Sequence, residues 1–246
     1  MRKTLSLLLL CGLSTSIFAM DTAVQKQEKF ITQLLNQQVN QQISIKRSVS
    51  AILKRSPEQV DTVLKVALEL YPDDYEQIML GAIEAEPALI SDVVNLTLAA
   101  NVASYKDITK IAVEAEPAYA CEVVDTVAEQ QPQDIENIVR VAISTEPVVS
   151  SDIFEQTLQS YPEYMADILK GAIKAVPEHL TQWVKDALEF FPSEGEKVVS
   201  TAIETSDKSK ADKIVDAAIN AGVDEESAIS AAVAAGVKKE NLASSN

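Results

Sequence analysis

Residues 57–86 read PEQVDTVLKVALELYPDDYEQIMLGAIEAE, and this stretch decides the fold. Pro57 and Pro72 stand 15 residues apart, and each opens a segment of the same design. Counting proline as the first place, mostly apolar residues fill the fourth, seventh, eighth, eleventh and twelfth: Val60, Val63, Leu64, Ala67 and Leu68, then Tyr75, Ile78, Met79, Ala82 and Ile83. Those offsets, i, i+3, i+4, i+7 and i+8, are the stripe of an amphipathic helix. A strand would need alternation, and there is none. Proline at the first place costs nothing, because the first N–H of a helix has no intrahelical partner and the ring presets φ. It also drives the residue before it out of the helical region and so ends the preceding helix. The spacing therefore predicts about 11 or 12 helical residues and a short turn in every 15. So short a helix is marginal alone and must bury its stripe against neighbours.

Outward from this stretch the pattern persists. All nine prolines lie on one lattice: Pro57, Pro72, Pro87, Pro117, Pro132, Pro147, Pro162, Pro177 and Pro192. Val102 occupies the one vacant node. A slower period overlies the first. In even-numbered units the eleventh place is Ala82, Ala112, Ala142, Ala172 and Ala202, followed by β-branched Ile83, Val113, Ile143, Ile173 and Ile203. Odd units carry Leu68, Leu98, Leu158 and Leu188 at the twelfth place, with Ala128 the exception. Glu86, Glu116 and Glu146 precede odd helices, whereas Tyr71, Tyr161 and Phe191 precede even ones. The true unit is thus a 30-residue hairpin of two unlike helices. The fold class that follows is all-α: an α-α solenoid of short antiparallel helices, 15 residues per helix and 30 per hairpin. Alanine in the even helices predicts that they form the tighter, inner layer.

The flanks divide the chain further. Arg2-Lys3, an apolar run from Leu5 to Leu13 and a small-residue stretch ending at Ala19 form the pattern of a signal peptide, residues 1–19. Export to the periplasm or beyond is the expectation. The run is short of the ~20 residues that a membrane span needs, so no membrane span is expected. Residues 20–56 read as an N-terminal capping helix, with Phe30, Ile31, Leu34 and Leu35 in its stripe, and a degenerate repeat with Ile45, Val49, Ile52 and Leu53. Residues 57–236 are the helical repeat array, in which the phase slips past Ser206 and Gly222 and Gly236 replace proline as helix stops. Residues 237–246 are expected to be a flexible tail.

Loss of residues 1–19 removes two positive charges and no acidic ones, moving the net charge from −16 to −18. Such an acidic chain repels nucleic acid and suits a basic partner or cations. Cys11 leaves with the leader, so Cys121 is the sole remaining cysteine and no intramolecular disulfide forms.

Few residues carry chemistry. The lone His179 precedes the lone Trp183 by four residues, but Trp183 fills the seventh place, where other units put mostly Val or Ile, and reads as core. No spaced ligand set supports zinc, and no glycine loop cradles phosphate. Asn95-Leu96-Thr97 matches a glycosylation acceptor but lies inside an expected helix. No enzyme activity, cofactor or metal site is expected. Two surface columns remain, because solenoids bind through stacked equivalent positions. The sixth and ninth places of odd helices collect Asp92, Glu122, Asp125, Asp152 and Glu155, an acidic ridge. The ninth place of even helices gives Lys110, Arg140 and Lys170, with Asp107 and Glu114 placed to pair with Lys110.

The paired-helix unit resembles the α-solenoid group that includes tetratricopeptide and HEAT-type repeats, in architecture only, since the tetratricopeptide signature is absent. It is also similar to alanine-rich, proline-punctuated arrays of uncharacterised exported bacterial proteins. The resemblance implies a stacked helical scaffold and carries over no functional residue. The expectation is an exported, non-enzymatic scaffold that binds a protein or peptide along its face, a basic partner being one kind that its charge suits. The alternative is a structural or matrix-type protein that self-associates or assembles with divalent cations.

Overall fold

The computed structural model describes residues 14–242, and every regular element among them is helical. The helices are α1 (Ser14–Asn40), α2 (Ile45–Leu53), α3 (Val60–Leu70), α4 (Tyr75–Ala85), α5 (Ile90–Ala100), α6 (Tyr105–Ala115) and α7 (Ala120–Gln130). They continue as α8 (Ile135–Thr145), α9 (Ser150–Ser160), α10 (Met165–Ala175), α11 (Leu180–Phe190), α12 (Gly195–Thr205), α13 (Ala211–Asn220) and α14 (Glu225–Ala234). This is the expected all-α repeat of short helices that pack on their neighbours. The leader assigned to residues 1–19 falls largely outside the described residues, and α1 begins at Ser14.

The joints are tighter than proline at the start of an α-helix would require. Each proline opens a single turn of 3₁₀ helix, and the 11-residue α-helix starts at the fourth place. At Tyr71 the backbone leaves the helical region (φ −133°, ψ 59°); its N–H donates to the Ala67 carbonyl at 2.9 Å, and its carbonyl accepts the Asp74 N–H at 3.0 Å. The residue before proline thus caps the outgoing helix with its N–H and seeds the incoming one with its carbonyl. The same bonds recur at Glu86, Gln131 and Phe191. Proline has no N–H to continue the outgoing ladder, and the i→i+3 bond starts the incoming helix from the carbonyl that precedes it.

At Val102 the joint changes. Asn101 takes the left-handed conformation (φ 53°), and Ser104 caps α6 by accepting the Asp107 N–H at 3.2 Å. The chain also divides here into two compact units, residues 1–102 and 103–246. In the first, α1, α3 and α5 form one layer and α2 and α4 the other. In the second, α7, α9, α11 and α13 stack as one layer, and α6, α8, α10, α12 and α14 as the other.

The stripe residues are the core of each unit: Val63, Leu64, Ile78 and Met79 in the first, and Ile138, Ile153, Phe154 and Ile168 in the second, are wholly buried. Even helices approach one another closely. A Cβ on Gly81 would stand 2.5 Å from the Lys46 carbonyl oxygen, and one on Gly171 2.5 Å from that of Glu136. The glycines are therefore contact points of the even layer, which no larger residue could serve without moving a backbone. Trp183 is fully buried as expected, donating to the Val176 carbonyl at 3.1 Å with its ring 5.0 Å from Phe154; His179 is exposed.

At the C-terminal side, Asp207 caps a 3₁₀ turn at Lys208–Lys210 that delays α13 by one residue, the origin of the phase slip. Gly222 (φ 99°) and Gly236 (φ 88°) stop α13 and α14 in the left-handed region that favours glycine. Val237, just beyond, is buried.

Candidate functional site

The charge of the chain is unevenly held. Nine Lys and Arg against eleven Asp and Glu leave residues 1–102 at −2, whereas twelve against twenty-six leave residues 103–246 at −14, together the −16 of the whole. The excess concentrates in residues 111–169, where twelve carboxylates face one cation, Arg140.

The odd layer of the second unit gathers part of this charge into a ridge. α7 and α9 present Asp125, Asp152 and Glu155, and α11 adds Asp186 and Glu189. Burial pushes the Glu155 carboxyl above its usual range, and the neighbouring Asp186, Asp152 and Glu189 push it further. Asp186, 9% exposed, is raised by burial and by Glu189, against the opposing hydrogen bond from Gln182 Nε2 (2.6 Å) and the charge of Lys185. Asp125 accepts from Gln156 Nε2 at 2.8 Å on one oxygen, while its other oxygen is buried without a hydrogen-bond partner. The half-buried Cys121 thiol is also raised, first by burial and then by Asp152 and Asp125. Each carboxylate here costs its neighbours, and a cation placed among them relieves several at once.

Of the residues expected on the ridge, Asp125 and Asp152 both act on Cys121, and Asp152 also acts on Glu155. Glu122 is exposed on α7, its backbone carbonyl accepting the Thr126 hydroxyl at 2.7 Å. Asp92 is exposed on α5, in the other unit. Asp186 and Glu189 were not foreseen. They sit at the tenth and thirteenth places of their repeat, and the tenth place of other odd helices holds Val66, Leu96, Thr126 and Gln156, so no column marked it.

The members of the basic column differ in their partners. Lys110 is exposed on α6; Arg140 donates to Asn137 Oδ1 at 3.3 Å; Lys170 pairs with Asp167 at 2.9 Å and is held in its charged form chiefly by that bond. Lys174 crosses from α10 to Glu136 of α8 at 2.6 Å. Nearby, burial and the hydrogen bond to Asp134 (2.9 Å) push the Tyr105 hydroxyl up to about 12.

The glycosylation-like triplet lies within α5, where the Thr97 hydroxyl is buried and donates to the Val93 carbonyl at 2.7 Å. Among the described residues no group of three or more His, Cys, Asp or Glu is arranged to hold a metal ion, and no helix is long and apolar enough to cross a membrane. Comparison with protein-family models, with curated proteins and with solved structures finds no match to this chain.

Proposed function

We propose that this protein is an exported, non-enzymatic scaffold that binds a basic protein or peptide segment along the odd-layer ridge of its second unit. The observation that carries this reading is the crowding of carboxylates within the ridge: Glu155 is raised first by burial and then by three neighbouring carboxylates, while Lys185 acts on Asp186. Lysine or arginine side chains spaced along an extended or helical partner would meet Asp125, Asp152 and Glu155 in turn, with affinity that falls as salt screens the charges. Export rests on the leader pattern of residues 1–19.

The test is binding of partners recovered from the exported fraction, and of a lysine- and arginine-rich peptide, to the wild type and to the combined variant Glu122→Lys with Asp152→Lys. Binding should weaken by roughly tenfold or more, as expected when two contacts of about 0.5–1 kcal/mol become repulsive. Undiminished binding of every partner to the variant overturns the reading.

A further inference from the structure

Successive even helices of each unit follow one rule of contact. The fifth place of one helix meets the tenth and thirteenth of the next. Thus the carbonyl of Lys46 abuts Gly81 and its ammonium pairs with Glu84 at 3.1 Å, while the carbonyl of Glu136 abuts Gly171 and its carboxylate pairs with Lys174 at 2.6 Å. At α14, the sixth, tenth and thirteenth places, Ser227, Ala231 and Ala234, line a groove with residues of α12, as the rule requires for the face turned to the preceding helix.

The rule identifies two faces that no helix among the described residues covers. α2 is the first even helix, and its face for a preceding helix, Arg47, Ala51 and Lys54, is exposed, although the tenth place is buried at Gly81, Gly171 and Thr201; of the three, Lys54 also reaches Glu84 of α4 at 3.5 Å. α14 is the last even helix, and its face for a following helix carries Glu226, Ile229 and Val233, lining an open groove. Val233 is 44% exposed, whereas Ile83, Val113, Ile143, Ile173 and Ile203 at the same place are at most 2% exposed. Both faces are repeat interfaces lacking their second half.

Their charges are opposite. Residues 29–57 hold Lys29, Lys46, Arg47, Lys54 and Arg55 and no carboxylate, while α14 begins Asp224-Glu225-Glu226. Under the rule, the fifth place of α14 is Glu226 and the thirteenth place of α2 is Lys54, a pair of the same kind as Glu136 with Lys174. We infer that the occupant of each face is a second copy of this chain: α14 of one copy packs on α2 of the next in the register of successive even helices. Ile229 and Val233 are covered, small Ala51 permits the approach, and Glu226 pairs with Lys54. The contact is head-to-tail, so it builds rings or filaments according to whether it closes. It uses surfaces other than the acidic ridge and stands independently of the proposed function.

Sedimentation of the purified, natively processed protein at low and high salt, over a range of concentrations, tests this. The wild type should grow in mass with concentration, less so at high salt. Glu226→Lys and Lys54→Glu should each weaken association by roughly fivefold or more, since one attractive pair becomes repulsive. Mixing the two variants should restore association, because each end of one is then complementary to the opposite end of the other. Val233→Asp should abolish it, with helical content unchanged by circular dichroism to show that the fold survives. A wild type that stays monomeric at every concentration overturns the inference. So does association that persists in Val233→Asp, or a mixture of the charge variants that stays as dissociated as either alone.

Discussion

The two units use charge in opposite ways on the same scaffold. In the first, Glu84 lies between Lys46 and Lys54, at 3.1 and 3.5 Å, and their attraction holds its carboxyl below the usual range. In the second, burial drives Glu155 above it, and Asp186, Asp152 and Glu189 drive it further. The backbone framework is common to both, down to a glycine pressed on a carbonyl in each even layer. The contrast separates the part of the sequence that builds helices from the part that decides what their surfaces attract. Packing depends on the stripe, whereas the surface is free to be weakly charged in one unit and strongly acidic in the other.

The largest test of this contrast is steric. Gly81→Ala and Gly171→Ala each place a methyl where a backbone carbonyl already stands, and each should cost about 1–3 kcal/mol. Trp183, the only tryptophan, lies in the second unit and is fully buried, so its fluorescence follows that unit, while circular dichroism follows both. Gly171→Ala should lower the urea midpoint by both probes. Gly81→Ala should shift the dichroism transition and leave the tryptophan midpoint in place; a fluorescence shift of equal size would mean that the units unfold as one.

The second test concerns the ridge. Glu155 and Asp186 have folded pKa values raised above the ordinary 4.5 and 3.8, so the folded state binds their protons more readily than the unfolded state does. Their ionisation opposes folding at neutral pH, and the penalty is relieved as pH falls from neutral toward those ordinary values. The tryptophan midpoint should therefore rise as pH falls from 7 toward the ordinary carboxylate range. Glu155→Gln with Asp186→Asn should raise stability at pH 7 by about 0.5–1 kcal/mol and flatten that rise. A double variant less stable than wild type at pH 7 would show that the ridge carboxylates are satisfied rather than strained.

The smallest effect belongs to Glu84, whose lowered pKa has the reverse sign: its contribution is present above 4.5 and is lost as pH falls through the folded value. Glu84→Gln should slightly destabilise the first unit at pH 7 and remove that loss on acidification, read as a small dichroism shift without a tryptophan shift.

The helices, their 15-residue period and both glycine stops are legible in the sequence, because each rests on local chemistry: a proline, a stripe, a residue tolerant of positive φ. Proline's role in the joint is only partly legible, since the carbonyl before it bonds two residues beyond it and inserts a 3₁₀ turn. The division at Val102 shows as a lost proline, although the lattice alone does not say that the chain parts there. The ridge is legible in three of its five members. Asp125, Asp152 and Glu155 share places, but Asp186 joins them from a place of its own, because the angle between stacked helices, not the repeat index, decides which side chains meet. Gly81 and Gly171 are visible as helix-interior residues; their purpose depends on the carbonyl of a helix some 35 residues earlier.

Each proline joint bonds its own exposed backbone groups within a few residues, from the Ala67 carbonyl to the Asp74 amide in the case of Tyr71. A further 30-residue hairpin spliced in at a proline would bring its own joints and leave the others undisturbed. Array length in such a chain is therefore open to genetic duplication and deletion, and natural variants should differ by whole hairpins more readily than by a few residues.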